Sequence, residues 1–439
     1  MLRILFATLL LATAFGSRAD GDPLAEALKI AAARNQPVLL DFHAPWCYSC
    51  YYMKKTVLTG PEWAKVERDT VVLDLDADSP EGAAIKDRYA VKALPNYVVI
   101  NAKGEELGRI NAERTRAQFY PELATILKRN TTLDDLRRIA ATSGPKALPA
   151  TRTVLATYLA RNEAQAGLDW FAALPAALQG AAQKDSVVQR GLARLQLRAA
   201  AKNKRPEACL AAAHLALAGK LDCESPYDLD TALECTAPEA KATDASGQRG
   251  LFLTAQAPRF EKLLTGTVLA KKQGCADARS ALFALADLYE AQGNTAARAA
   301  TLQKGIRYFA PRIAKSLKAD RNAADNLRVL YDAAGDTAQL DALLEQLVIA
   351  YPDDYVYANR YARVLAARSE HEKAVVWFAK AAEKAYGVNR LKNAQARVQS
   401  LLALQRSDEA RQAAAEALKA NGPWFPEESA KLKSLLPAA

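Results

Sequence analysis

Cys47 and Cys50 stand two residues apart, where a short apolar run, Pro37-Val38-Leu39-Leu40-Asp41-Phe42-His43, gives way to a helix-permissive segment. Two thiols at that spacing can close a disulfide between them and open it again on another disulfide. A helix starting at the first sulfur turns its unpaired N–H groups and the positive end of its dipole towards it, favouring thiolate over thiol. The intervening Tyr48-Ser49 contains no histidine. An imidazolium there would stabilise the thiolate and make the pair strongly oxidising, so its absence leans towards a reductase. A CxxC is also half of a zinc site, but His43 lies on a predicted strand and the sequence holds no second CxxC and no HxxxH. No metal and no cofactor is expected, and His43 reads as a partly buried strand residue.

The elements that must position the pair follow from periodicity. Pro37–His43, Thr70–Leu75, Asn96–Asn101 and Glu106–Ile110 are short runs rich in Val, Leu, Ile and Tyr, bounded by Pro, Gly, Asn or Asp, and read as strands. Between them Leu24–Arg34, Cys47–Leu58, Pro80–Tyr89 and Thr115–Arg129 have helical spacing. Strands and helices mostly alternate before a closing hairpin at Ala102-Lys103-Gly104, which predicts a compact α/β/α sandwich with the CxxC at a helix start.

Asp41-Phe42-His43-Ala44-Pro45-Trp46-Cys47-Tyr48-Ser49-Cys50 resembles the active-site segment of thioredoxin-like proteins, especially the C-terminal periplasmic domain of the bacterial disulfide reductases of the DsbD family. The resemblance continues through Val71–Asp76, then Tyr89–Tyr97, then Gly104-Glu105, and covers roughly residues 22–130. It implies a thioredoxin fold, with Cys47 as an exposed nucleophile, Cys50 as the more buried resolving thiol and Trp46 flanking the nucleophile. It further implies that Asp41 is a buried carboxylate beneath Cys50, able to take its proton. Pro95 matches the family's cis-proline, and Leu94 before it faces an extended substrate.

The first 19 residues read as a secretory signal: Arg3, an apolar run Ile4–Phe15, and small residues ending at Ala19. No segment reaches the ~20 apolar residues that span a bilayer, so no transmembrane segment is expected after cleavage. A composition rich in Ala, Arg and Leu points to a bacterial source and so to the periplasm, where disulfides persist.

At 439 residues the chain has room for two or three domains. The expected division is a signal peptide at 1–19, a thioredoxin-like domain at 20–130, unphased helical hairpins at 131–279 and tetratricopeptide-like repeats at 280–439. From Thr131 onward Ala, Leu, Arg, Lys and Glu dominate with 3.6-residue periodicity, which predicts helices and almost no sheet. Residues 20–130 hold 15 Lys/Arg against 16 Asp/Glu, so nearly all of the net charge of +10 belongs to the helical part. Leu327-x3-Tyr331-x3-Gly335-Asp336, closed by Pro352, has tetratricopeptide spacing, and Tyr361-Ala362-x2-Leu365 starts the next unit 34 residues on. Leu285-Ala286-x2-Tyr289-x3-Gly293-Asn294 opens an earlier copy, and Ser225–Asp228 and Pro238–Gly250 read as loops. Such units bury their cores only by stacking, which predicts an α-solenoid with an exposed face for a protein partner. Nucleic acid is not expected as a partner, because an exported protein rarely meets it and no nucleic-acid motif occurs.

Cys209, Cys223, Cys235 and Cys275 all fall in the helical part. An even number in an exported chain favours structural disulfides over free buried thiols, and a second redox pair would need closer spacing. If Ala208–Gly219 and Tyr227–Cys235 pack as a hairpin centred near Asp222, Cys209 and Cys235 share one end. That favours Cys209–Cys235 with Cys223–Cys275 among the three pairings. Two functions then compete. One is a thiol:disulfide oxidoreductase acting on a protein disulfide or thiol, with the repeats recruiting a partner. The other is a repeat-based binding or chaperone-like protein with an accessory redox module.

Overall fold

The computed structural model describes residues 22–142, 144–237 and 247–436. The signal-peptide reading and most of the Pro238–Gly250 loop lie outside them. The N-terminal part is a four-stranded mixed sheet in the order β2-β1-β3-β4, built from Val38–His43 (β1), Val71–Asp76 (β2), Asn96–Ile100 (β3) and Glu106–Asn111 (β4). β1 runs parallel to β2 and antiparallel to β3, and β3 pairs antiparallel with β4. Central β1 is apolar on both sides because both its faces are covered, which is why it reads as a continuous run rather than an alternation. One face packs Leu40, Phe42 and Val98 on Leu24, Ala27 and Ile85; the other packs Leu39, Tyr97 and Val99 on Met53, Phe119 and Leu123.

The flanking helices are Pro23–Arg34 (α1), Tyr48–Tyr52 (α2), Gly60–Asp69 (α3), Pro80–Arg88 (α4) and Arg116–Arg129 (α5). Two differ from the sequence expectation. The single helix expected over Cys47–Leu58 is α2 followed by a π-helical turn, Met53–Val57. Helix α3 was not anticipated: it is mostly polar and only Val66 is buried, so it shows no apolar stripe to read.

From Leu133 to Ser434 the described residues form helices and no strand. Helix pairs fold back on one another through short turns: Ala278–Ala291 with Thr295–Ile313, Arg321–Ala333 with Thr337–Ala350, Tyr355–Ala367 with His371–Lys384, and Gly387–Ala403 with Ser407–Asn421. The turn after Ala333 uses Gly335 at φ +69°, and Asp336 then caps the next helix by accepting from Gln339 N at 3.2 Å. Residues from Ala193 to Ala385 share one continuous core, as stacking requires. Ser225–Asp228, read as a loop, is instead the first turn of the Ser225–Cys235 helix: Pro226 sits at its start, where a missing N–H costs nothing. Cys209 is bonded to Cys235 and Cys223 to Cys275, with Cα separations of 6.4 and 5.4 Å. No helix among the described residues is long and apolar enough to cross a membrane.

Candidate active site

Cys47 is the residue immediately before α2, with extended backbone angles, and is bonded to Cys50 across a Cα separation of 5.2 Å. Its Sγ accepts from the Cys50 N–H at 3.1 Å, so the first sulfur takes the place of an N-cap side chain. That donor, like the helix start, favours negative charge on Cys47 rather than on Cys50.

The exposure expected of Cys47 is not found. Both cysteines are 3% exposed, packed with Ala44 and Leu94. The helical region also reaches the backbone of the redox loop directly. Arg360 donates to the Trp46 carbonyl at 2.7 Å, and Asn322 donates to the Tyr48 carbonyl at 2.9 Å. The Arg279 guanidinium lies 3.4 Å from the centre of the Tyr48 ring, and Arg321 lies 4.2 Å from that of Tyr51. Trp46, 40% exposed, turns its indole N–H onto Asp78 at 2.5 Å. On the same side Gly387, at φ +53°, lies so close to the Asp78 carbonyl oxygen that a Cβ would collide with it.

Two buried carboxyls lie in the same domain. Asp41 is buried in β1 with one oxygen lacking any partner; burial, then the nearby Asp74, pushes its carboxyl up to about 6. Glu113, in the turn between β4 and α5, is also buried. Burial first and Asp277 second lift its carboxyl well above the usual range, against the Ser49 hydroxyl and Arg279. The Leu94–Pro95 peptide bond is cis, and the Pro95 carbonyl accepts from Ala112 N at 3.0 Å. His43, by contrast, faces β2, with Nε2 2.6 Å from Asp74 Oδ1. Beside the loop, Pro45 forms one wall of a cleft of about 400 Å³; Arg321, Tyr351, Tyr355, Lys384 and Tyr386 supply others.

The structure packs Cys47 and Cys50 with Ala44 and Leu94, the residue before cis-Pro95, and pairs Cys209, Cys223, Cys235 and Cys275 with one another rather than with them. Sequence reasoning missed Glu113, Arg279, Asn322 and Arg360. The arginines are three-dimensional neighbours only, unmarked among 59 basic residues.

The profile of the thioredoxin-like domain family matches residues 24–127. The thiol:disulfide interchange protein DsbD of Klebsiella pneumoniae is 34% identical over 79 residues, 18% of this chain and 13% of that protein. DsbD of Pseudomonas fluorescens is 39% identical over 82 residues, 18% and 14% of the two chains. For DsbD of Cronobacter sakazakii the figures are 35% over 119 residues, 26% and 20%. The chain thus spans a fifth or less of the length of these relatives. Among solved structures, a thioredoxin from Thermus thermophilus is 35% identical with a TM-score of 0.22, over 23% of this chain and 81% of that one. The DsbH oxidoreductase is 25% identical with the same score, over 24% and 81%. Residues 24–127 are a thioredoxin-like domain with DsbD-like relatives, joined in one chain to an all-helical region.

Proposed function

We propose that the chain is an exported thiol:disulfide oxidoreductase that works through the Cys47/Cys50 pair on protein disulfides or thiols. The observation carrying this reading is the Cys50 N–H donated to Cys47 Sγ at the start of α2, inside a domain matched by the thioredoxin-like family. In the reducing direction the Cys47 thiolate attacks a substrate disulfide, one substrate sulfur leaves as a thiol, and a mixed disulfide remains. Cys50 loses its proton to Asp41, whose carboxyl near 6 suits it to that transfer, and attacks Cys47 Sγ to release the second substrate thiol. Trp46 and the Leu94–Pro95 turn border the sulfur pair and are the proposed substrate contacts.

The reducing direction rests on the histidine-free Tyr48-Ser49 and on the DsbD relatives, and the periplasm rests on those relatives and the apolar N-terminal run. The helix pairs from Ala278 onward are read as tetratricopeptide-like and as the surface that recruits a protein partner. Reduction of insulin by the full chain with a thiol donor tests the activity. Turnover in the native protein and none in Cys47→Ser is the expected result; equal turnover in both would end the reading.

A further inference from the structure

Asp325 is 0% exposed and is shared by three guanidiniums. Arg279 Nη2 reaches it at 2.7 Å and Arg328 Nε at 3.1 Å, and Arg360 Nη1 pairs with it as well. The same groups lead to the redox loop. Arg279 donates to Asn326 at 2.6 Å, Asn326 to Asn322 at 3.0 Å, and Asn322 to the Tyr48 carbonyl, while Arg360 closes the circuit on the Trp46 carbonyl. Two helices therefore bond to the carbonyls of the residues on either side of Cys47, and a third places Arg279 over the Tyr48 ring.

The charges in this circuit do not balance. Burial pushes the Asp325 carboxyl up, but Arg360, Arg328 and Arg279 outweigh it and hold it far below the ordinary range. Arg328 is driven down by burial and by repulsion from Arg360 and Arg279, despite Asp325. The surrounding charged groups leave an excess of positive charge. Arg321 is paired with Asp354 and Lys55 with Asp320 at 3.5 Å, while Asp277 is held by the Tyr227 hydroxyl at 2.6 Å and by Ser280. Glu113 is driven towards its neutral form, and on the sheet side Asp41 has Asp74, His43 and Lys54 around it. One carboxylate of the circuit and Asp277 thus face three guanidiniums.

We propose that Arg279 and Arg360 are positioning residues of the redox centre, supplied by the helical region, whose uncompensated positive charge stabilises the thiolate of Cys47 once the disulfide opens. This rests on the oxidoreductase reading above. Opening the disulfide with a dithiol moves two electrons onto the sulfur pair. The dithiol becomes a disulfide and gives up two protons, of which Cys50 keeps one and solvent takes the other, leaving Cys47 as the anion. The two cations then favour the Cys47 anion from outside the CxxC segment, through their contacts with Trp46 and Tyr48 on either side of it. The Cys223–Cys275 bond, four residues before Arg279, fixes the chain that presents it.

The test is the pH profile of iodoacetamide alkylation of Cys47 in the full chain carrying Cys50→Ser, so that one thiol titrates. Arg360→Gln and Arg279→Gln should each slow alkylation at pH 6 about five- to tenfold, a midpoint shift approaching one unit, with the plateau at high pH unchanged. Arg360→Lys and Arg279→Lys, which keep the charge but lose the planar fork and its stacking, should show a smaller loss than the Gln variants. Unchanged profiles in the Gln variants, or equal losses in Gln and Lys variants, would overturn the proposal. A second measurement needs no arginine variant: the midpoint in the folded parent should lie below the ordinary ~8.5 of a cysteine and return there in urea. A folded midpoint at or above that value also overturns it. Because no protein substrate is used, failure to reduce insulin would count against the oxidoreductase reading alone.

Discussion

The thioredoxin-like domain and the helical region hold their shape by different means. In the first, 100-odd residues close a sheet between two small cores, and every element touches that sheet. In the second, each helix pair has a core only through its neighbours; one disulfide ties the Pro206–Ala216 helix to the Ser225–Cys235 helix, and another ties the segments that precede two helices. The domain has the complete sulfur chemistry but is near neutral; the array has the charge but no sulfur able to exchange at CxxC spacing. Where they meet, partners separated by 274 and 314 positions bond to the redox loop. The two regions are thus not structurally independent, because the helical region bonds to the loop that carries Cys47.

The largest effects should fall on the sulfur pair. Cys47→Ser should abolish disulfide exchange, while Cys50→Ser should accumulate mixed disulfides, since attack survives and release does not. Non-reducing gels of Cys50→Ser showing no adducts, with adducts on Cys47→Ser, would reverse the assigned roles. Both sulfurs are equally buried, so this asymmetry rests on the cap position of Cys47 rather than on exposure.

Next come the two disulfides of the array. Replacing Cys209 and Cys235, or Cys223 and Cys275, by Ala should each cost the helical region about 2–4 kcal/mol by loosening the constraint on its unfolded chain. Urea unfolding followed by far-UV circular dichroism reads that loss, and insulin turnover at low denaturant should persist in the Cys209/Cys235 pair variant. A loss there as complete as in Cys47→Ser would mean that these bonds belong to the redox machinery.

Docking of the two regions is tested at Gly387. Alanine there meets both a left-handed backbone and the Asp78 carbonyl, and should cost roughly 2–3 kcal/mol while changing the environment of Trp46, which hydrogen-bonds Asp78. Unaltered stability and tryptophan fluorescence would show that the contact is dispensable.

The smallest effect concerns Asp41. Its folded carboxyl titrates at about 6 against an ordinary 3.8, so the fold favours the protonated form. The stability it contributes is complete below about pH 4 and is lost as pH rises through 6. Asp41→Asn should therefore raise stability at pH 7 by about 2 kcal/mol and leave it nearly unchanged at pH 4. It should also slow release of the mixed disulfide. A gain at pH 4 equal to that at pH 7 would contradict the buried-charge account.

What could be read from the sequence tracks how local the cause is. The strands of the sheet, the capped helices and the WCYSC segment are written within a few residues, and so is Gly335 at its turn. The Gly60–Asp69 helix was illegible because it buries one residue, and the Ser225 helix because proline marks helix starts as readily as loops. Glu113 and the Asp325 circuit could not be seen at all. Their roles depend on which side chains arrive from distant turns, and nothing in the spacing of Arg279, Asn322 and Arg360 marks them apart from ordinary surface polar residues.

Equilibrating the full chain in glutathione buffers of graded potential, then alkylating and mapping all six cysteines by mass spectrometry, tests the central claim most directly. The account predicts that Cys47 and Cys50 titrate together as one two-electron couple, while Cys209–Cys235 and Cys223–Cys275 remain oxidised throughout. A Cys47–Cys50 bond that stays closed across the range, or opens only together with the other two, would contradict it.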